Sequence, residues 1–155
     1  MRAVIQRVSQ AQVRVENKVV AKIGLGLVVL LGISPTDTEA DVREMAEKVA
    51  NLRIFGDAQG KMNLFCLDVN GEIIVVSQFT LYADTRRGRR PSFTGAASPE
   101  LAEPLCQLFV ETLRIMGVPT QSGVFGAHMV VDIQNDGPVT ILLEQPGDSR
   151  SSWNF

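Results

Sequence analysis

Apolar and polar residues alternate along the first third of the chain, and this period of two is typical of β-strands with one buried face. The alternation covers residues 3–8 and 12–15, is interrupted by the turn-like Glu16-Asn17-Lys18, and resumes over 19–23. Residues 27–33 are apolar almost throughout, which predicts a strand buried on both faces. The first third of the chain is therefore predicted to be β-structure.

Two later segments repeat their apolar residues at helical intervals. The first follows Thr36-Asp37-Thr38-Glu39, which has capping-box spacing, and its apolar face continues to Leu52, predicting an amphipathic helix of about four turns. The second opens at Ser98-Pro99-Glu100 and carries one apolar face as far as Gly117, where glycine is expected to end the helix.

Turn-forming residues divide the rest of the chain. Asn70-Gly71 is a strong hairpin signal, and the apolar strand 72–76 that follows leads into Ser77-Gln78-Phe79-Thr80. A polar loop is expected over 83–98, and strands at about 128–134 and 139–143 are joined by Asn135-Asp136-Gly137-Pro138. Strands at both ends and two isolated helices predict an α+β fold, a single domain with a mostly antiparallel or mixed sheet packed with two main helices.

Composition narrows the class of protein. The 155 residues are 45% hydrophobic and 21% charged, which is ordinary for a globular chain and unlike a disordered one. We expect a cytoplasmic protein, because the first residues lack the apolar block of a signal peptide and the longest apolar run is too short to span a membrane. Cys66 and Cys106 lie among apolar neighbours with no C-x-x-C pair, so both are expected to be reduced.

One loop departs from the acidic average of the chain. The net charge of −2 gives the molecule no general attraction for nucleic acid. Arg86, Arg87, Arg89 and Arg90 nevertheless fall together around Gly88. This cluster predicts local contact with an anion, although a solvated loop, or one that pairs with acidic groups at a dimer interface, would have the same composition.

Several kinds of catalysis lack the residues that they need. A single histidine, with no H-x-x-x-H, C-x-x-C or clustered carboxylate pattern, argues against a metal site. Gly24-Leu25-Gly26 lacks the further glycine and the lysine of a phosphate-binding loop. His128 could act as a base for Ser77 or Thr80, with Asp132 to orient it, but it begins a predicted apolar strand and G-x-S-x-G is absent. Histidine-driven catalysis is therefore not expected.

Two short segments allow both a structural and a functional interpretation. Residues 77–80 follow four apolar strand residues, and N–H groups at a strand end become available to a ligand or an oxyanion, although a strand that simply reaches solvent looks the same. Gly137-Pro138 is a turn on residue chemistry alone, because Asp-Gly suits positive φ and Pro cannot continue strand pairing.

The strings SQFTLYAD at 77–84, RRGRRPSF at 86–93 and NDGPVT at 135–140, with the opening MRAVIQRVSQAQVRV, resemble the D-aminoacyl-tRNA deacylases of the D-tyrosyl-tRNA deacylase type. The motifs of that family are SQ-x-T and N-x-G-P-[VF]-T, and their presence in the right order makes the resemblance specific. It covers about residues 1–144, and the polar tail over 145–155 matches no family motif. Arg89 stands where many relatives have Asn, which makes the loop more basic.

The resemblance implies a homodimer of cytoplasmic α+β subunits with no metal or organic cofactor, whose partner is the aminoacylated 3′ end of tRNA. Ser77, Gln78, Phe79 and Thr80 would line a catalytic pocket at the dimer interface. The Gly137-Pro138 peptide would be cis and would enter the pocket of the other subunit to select chirality. The candidate tRNA-binding residues are Arg86, Arg87, Arg89 and Arg90.

The implied reaction is hydrolysis of the ester between a D-aminoacyl group and the 3′-terminal adenosine, which releases free D-amino acid and tRNA. Such an ester is already activated, so orientation and oxyanion stabilisation suffice, with the 2′-hydroxyl of the tRNA assisting water and Thr80 in a supporting role. L-aminoacyl-tRNA would be excluded sterically at Gly137-Pro138, whereas glycyl-tRNA would be cleaved. Two other classes stay open, a nucleic-acid-binding module without catalysis and a Ser or Thr hydrolase that needs His128.

Overall fold

The computed structural model describes residues 1–145 of the chain, so the tail predicted over 145–155 lies outside the described residues except for Gln145, which is buried. The elements are, in order, β1 (Arg2–Val15), β2 (Lys18–Ile23), β3 (Gly26–Gly32), α1 (Glu39–Ala50), β4 (Phe55–Gly56), β5 (Met62–Leu64), β6 (Glu72–Ser77), α2 (Pro99–Ile115), β7 (Thr120–Ser122) and β8 (Val130–Glu144). Two short 3-10 turns, Cys66–Val69 and Phe79–Tyr82, lie on either side of β6. The predicted α+β class is confirmed.

The strands other than β4 and β5 form one mixed sheet in the order β2-β1-β3-β6-β7, with β8 paired to β1. β1 is antiparallel to β2, β3 and β8, while β6 is parallel to β3 and β7. At the two ends of this order, the side-chain amide of Gln121 on β7 accepts a hydrogen bond from Lys22 N on β2 at 3.0 Å and donates one to Lys22 O at 2.7 Å. The sheet is therefore bent enough to bring β2 and β7, which are not neighbours in this order, into contact.

Both faces of the sheet are buried at its central strands β3 and β6. Leu27 and Val29 of β3 join a cluster that includes Phe109 of α2, whereas Val28 between them joins a second cluster on the inner side of the bend. Ile73 and Ile74 of β6 divide in the same way. The prediction that the apolar run 27–33 is buried on both faces is confirmed over the length of β3.

The helices begin and end close to the predicted residues. Thr38 caps α1, with Thr38 N donating to Asp41 Oδ2 at 2.8 Å and Asp41 N donating to Thr38 Oγ1 at 3.4 Å. The capping box thus begins two residues later than predicted, because Thr38 rather than Thr36 is the N-cap, and the 12-residue helix is shorter than expected. α2 begins at Pro99, and the glycine predicted to end it, Gly117, has a φ of 90°.

Both predicted hairpins are wrong. Asn70, with a φ of 51°, ends a 3-10 turn, and β6 after it runs parallel to β3, which a hairpin connection cannot produce. Residues 135–138 do not separate two strands, because β8 is continuous across them and pairs with β1 on both sides. They form a bulge, since Gln6 pairs with Thr140 whereas Val8 pairs with Asn135. Pairing with a long neighbouring strand has overridden the local preference for a turn.

Candidate active site

A cleft of about 550 Å³ opens where β6 ends. Ser77 is the last residue of β6, and Gln78 N still donates to Leu31 O of β3 at 2.8 Å before the chain enters the 3-10 turn Phe79–Tyr82. The residues that line the cleft include Ser77, Gln78, Phe79, Phe93, Ala102, Cys106, Phe125, His128, Met129 and Val131. Within the described part of the chain, none of the lining residues is Asp, Glu, Lys or Arg. The cleft is therefore apolar, with a polar segment at one end.

Two aromatic rings form part of the cleft wall. Phe79 and Phe93 pack edge to face, with ring centroids 5.1 Å apart and planes at 76°. Phe79 is nevertheless 59% exposed, which is unusual for a phenylalanine in a monomer of this size. Its free surface faces a volume large enough for a small molecule.

The four residues of the SQ-x-T segment do not all face the cleft. Ser77, Gln78 and Phe79 line it, whereas Thr80 lies exposed on the following turn and accepts a short hydrogen bond from Gln78 Nε2. Phe79 and Thr80 head the 3-10 turn, where the first N–H groups have no acceptor within the turn itself. Two main-chain donors thus lie beside the polar end of the cleft.

Arg2 of β1 holds the turn Phe79–Tyr82 against the sheet. The sequence analysis did not predict this role. The Arg2 Nη1 atom donates to Leu81 O at 2.8 Å, its guanidinium lies 4.7 Å from the ring centre of Tyr82, and its Nε is 2.8 Å from a carboxylate oxygen of Glu144. One side chain therefore joins the turn to the first residue of β1 and the last residue of β8.

The Gly137-Pro138 segment forms the outer part of the bulge in β8, and its peptide bond is cis, as the resemblance implied. Arg7 of β1 holds it through a hydrogen bond from Nε to Asp136 O at 3.2 Å, while its Nη1 donates to Ile54 O at 2.6 Å. Gly137 has a φ of 127°, and a Cβ atom there would lie 2.8 Å from Val139 Cγ2 and 3.0 Å from Arg7 Nη2. Glycine is therefore required both by conformation and by space.

Strand registers show how far the bulge lies from the SQ-x-T segment of the same subunit. The bulge is opposite Arg7, which pairs with Leu27, which in turn pairs with Ile73. Ser77 is four residues further along β6, or about 13 Å, and β8 is three strand spacings from β6, or about 14 Å. The two segments are thus about 19 Å apart across the sheet, and one subunit does not bring them together.

The arginine loop, residues 84–92, joins the cleft through its base. Asp84 and Ser92 exchange main-chain hydrogen bonds of 2.8 and 2.9 Å, and the next residue is the cleft residue Phe93. Arg86 Nη2 lies 2.6 Å from Asp84 Oδ2, and the hydrogen bonds from the Arg86 side chain and main chain hold the pKa of the Asp84 carboxyl well below its usual range.

The other three arginines of the loop are differently placed. Among residues 1–145, Arg87, Arg89 and Arg90 make no ion pair with a carboxylate, and all three are exposed. Three cations that form no ion pair within the described residues therefore lie on a loop whose base is the cleft wall, with Arg87 near enough to Asp84 to help lower its pKa.

His128 does not form a catalytic triad. It precedes β8 rather than beginning it, so the predicted strand start is wrong by two residues. Asp132, the candidate orienting acid, instead accepts hydrogen bonds from Arg14 Nε at 3.0 Å and Gln12 Nε2 at 2.9 Å, and these lower its pKa. No hydrogen bond in the described chain joins His128 to Ser77 or to Asp132. A hydrolase mechanism driven by His128 gains no support.

Residues 1–145 contain no group of three or more His, Cys, Asp or Glu residues that could hold a metal ion. None of their helices is long and apolar enough to cross a membrane.

Fold and cleft together define a class of protein, a small α+β domain whose strand-end cleft offers main-chain donors and aromatic surface instead of charged side chains. Comparison with known proteins names the family. The model of the D-Tyr-tRNA(Tyr) deacylase family matches residues 4–144, and the chain belongs to that family, as its sequence motifs predicted. The predicted resemblance is thus confirmed.

Individual relatives agree with this assignment. A D-aminoacyl-tRNA deacylase of Roseiflexus sp. (strain RS-1) is 61% identical over 144 residues, which are 93% of each chain. One from Desulforamulus reducens is 56% identical over 153 residues, covering 99% of this chain and all of the relative.

Two solved structures share the fold. One named c-Myc DNA Unwinding Element Binding Protein has a TM-score of 0.89 and 46% identity, covering 94% of this chain and 99% of its own. A probable eukaryotic D-amino acid tRNA deacylase has a TM-score of 0.81 at 18% identity, covering 92% and 97% of the two chains.

Proposed function

We propose that this protein hydrolyses the ester of D-aminoacyl-tRNA, releasing free D-amino acid and tRNA, in the cytoplasm where its substrate is made. The observation that carries the proposal is the apolar, aromatic cleft that ends at Ser77, Gln78 and Phe79 in a chain of the deacylase family. Each part of the substrate has a counterpart in the chemistry of this region.

The cleft suits the terminal adenosine of tRNA. Its volume of about 550 Å³ lies within the range of small-ligand pockets. Accessible rings such as the exposed Phe79 and the half-buried Phe93 are the surfaces on which unstacked bases pack. With the base on these rings, the 3′-ester would lie near the N–H groups that head the turn Phe79–Tyr82.

The catalytic step needs little from side chains. Water adds to the ester carbonyl, the carbonyl oxygen becomes an oxyanion, and the C–O bond to the ribose breaks as the 3′-oxygen takes a proton. N–H groups of Phe79 and Thr80 would stabilise the oxyanion, and the 2′-hydroxyl of the substrate would assist the water. Thr80, held by Gln78, has a supporting role and forms no covalent intermediate.

Two subunits are proposed to complete each site. The separation of about 19 Å along the sheet between the bulge and Ser77 favours a Gly137-Pro138 segment that serves the cleft of a second copy. Within residues 1–145, β8 pairs with β1 on one edge and with no strand on the other, and its Val130 and Leu142 are exposed apolar residues. A free strand edge with apolar neighbours is suited to association with another copy.

Chiral selection is proposed to be steric. If main-chain groups of the Gly137-Pro138 segment hold the substrate amino group, an L side chain collides with that segment and a D side chain points away. Attractive contacts with a methyl group are worth only ~1–3 kcal/mol, whereas a 10⁴-fold preference needs ~5.5 kcal/mol, which a clash can supply. Glycyl-tRNA, having no side chain, is therefore expected to be cleaved.

The arginine loop is proposed to contact tRNA phosphate. Its base is adjacent to the cleft, and three of its four arginines form no ion pair with a carboxylate of residues 1–145. Arg86, which is paired with Asp84, is expected to order the loop more than to bind.

The test is hydrolysis of matched D-alanyl-, L-alanyl- and glycyl-tRNA. We expect cleavage of the first and third and resistance of the second. The Gly137→Ala variant should lose the preference, since its Cβ would displace Val139 or Arg7, whereas Gly24→Ala, where no atom lies within 4 Å of the new Cβ, should retain it. Binding of tRNA without any ester turnover would overturn the proposal in favour of a nucleic-acid-binding module.

A further inference from the structure

A second cleft of about 400 Å³ adjoins the first and differs from it in chemistry. It lies between α2 and the end of β7, and it shares Ser77, Cys106 and Phe125 with the first cleft. The two volumes therefore meet at the catalytic end of β6. The second cleft is therefore within reach of a nucleotide that neighbours a ligand bound in the first.

Polar residues of one helix face line the second cleft. Glu103, Gln107, Glu111 and Arg114 recur at intervals of three or four on α2. Glu103 is nearest to the shared boundary, because Ala102 before it lines the first cleft. Arg114 closes the far end, where its Nε donates to Thr120 O at 2.9 Å.

Carboxylates are unexpected beside a site for a polyanion. Glu103 and Glu111 would repel the phosphates of tRNA unless they met hydrogen-bond donors of the ligand. The donors that RNA offers are its hydroxyl groups and the amino and ring N–H groups of its bases, and of these the exocyclic amino group of cytosine is absent from uracil. Every mature tRNA ends in cytidine-cytidine-adenosine, so the nucleotide before the terminal adenosine carries such an amino group.

We propose that the second cleft binds the base of the penultimate nucleotide and selects cytosine, an inference that rests on the proposed deacylase function. The Glu103 carboxylate accepts from the N4 amino group, a pairing that carboxylates make with cytosine. The Gln107 side-chain amide, one helical turn further, donates to the N3 or O2 acceptor of the same base edge. Uracil presents a carbonyl oxygen in place of the amino group, and the carboxylate repels it.

Short substrates isolate this contact from the rest of tRNA. The D-alanyl ester of adenosine fills only the first cleft, whereas the D-alanyl esters of cytidylyl-adenosine and uridylyl-adenosine also reach the second. We expect kcat/KM to be ~10-fold higher for the cytidylyl than for the uridylyl ester, the lower range of discrimination for a base-specific pair. The gain should appear mainly in KM.

The variant Glu103→Gln sharpens the test, because a glutamine amide can rotate to donate to uracil or accept from cytosine. It should abolish the preference for cytidine and leave kcat/KM for the adenosine ester unchanged. Glu47→Gln, an exposed glutamate of α1, is the matched control and should alter neither quantity.

Equal cleavage of the cytidylyl and uridylyl esters by the unaltered protein would overturn the inference. So would a loss of adenosine-ester hydrolysis in Glu103→Gln, because that would give Glu103 a role in the first cleft. If no ester is cleaved at all, the proposed function fails, and direct binding of the two unesterified dinucleotides then decides the inference separately. A cytidine preference that Glu103→Gln removes would still support it, and equal binding would overturn it.

Discussion

The arginine loop permits a quantitative prediction about tRNA binding, since the structure separates its four cations into two kinds. Arg86 lies 2.6 Å from the Asp84 carboxylate, so the pair presents little net charge to a phosphate. Arg87, Arg89 and Arg90 have no such partner in the described chain. Each arginine that contacts a phosphate of single-stranded nucleic acid adds ~0.7 to the slope of log K against log salt.

Replacing Arg87, Arg89 and Arg90 together with alanine should therefore flatten the slope by ~2.1. Between 50 and 200 mM salt, a fourfold change, the unaltered protein should lose ~20-fold more affinity for tRNA than the triple variant does. Arg86→Ala alone should change the slope little. Arg43→Ala on α1, where Arg43 is paired with Glu39, is the control and should leave the slope unchanged.

Fluorescence anisotropy with labelled tRNA at several potassium chloride concentrations measures these slopes directly. If the triple variant and the unaltered protein have equal slopes, the loop does not bind tRNA. If Arg86→Ala flattens the slope as much as any other single replacement, the assumption that Asp84 neutralises Arg86 is wrong.

Three further predictions concern the fold. Gly26→Ala should lower the free energy of unfolding by roughly 3 kcal/mol or more in urea denaturation, because its Cβ would lie 1.8 Å from a main-chain oxygen of β6, while Gly24→Ala should change it by less than about 0.5 kcal/mol. Burial raises the pKa of the Cys66 and Cys106 thiols to about 12. Alkylation of the folded protein at pH 8 should therefore be ~10³-fold slower than that of a free thiol. Rapid labelling would contradict the burial of these thiols. A carbon-13 NMR titration should place the Asp84 pKa below the usual value of about 3.9. The contribution of Asp84 to stability is then present at neutral pH and is lost as pH falls through the lowered pKa. A titration midpoint at the usual value would contradict the ion pair with Arg86.

Periodicity predicted β3, β6 and both helices well, divided the long strand β8 into two, and did not reveal the shortest strands. β3, β6 and both helices have runs of apolar residues long enough for their period to be visible. β4, β5 and β7 have two or three residues each, too few to show any period. Their strand state comes from hydrogen bonds with neighbours that are distant in sequence, and so local pattern could not reveal it.

The candidate site also has a part that local sequence predicted and a part that it could not predict. Ser77 to Thr80 could be found because a polar segment follows an apolar strand directly, and that junction is local. The relation of that segment to Gly137-Pro138 depends on strand order, since β8 reaches β1 only after the chain has completed the rest of the sheet. The motif sequences indicated that both segments mattered, but the registers were needed to show that one subunit holds them about 19 Å apart.

Arg7 is a charged residue within the alternating pattern of β1, and this signal of a functional position is visible in the sequence. Ala3 and Ile5 of β1 face the cluster that the helices cover, and the period of two assigns residue 7 to the same face. Alternation predicts an apolar residue at this position, and the charged Arg7 breaks that pattern. Such exceptions to the local pattern concentrate at functional sites. In the fold the guanidinium lies where the helix layer ends, and it donates hydrogen bonds to Ile54 O and Asp136 O. An apolar side chain at this position could not donate to either carbonyl oxygen. Arg7 therefore interrupts the apolar pattern of β1 because it holds the bulge of β8, which lies more than a hundred residues further along the chain.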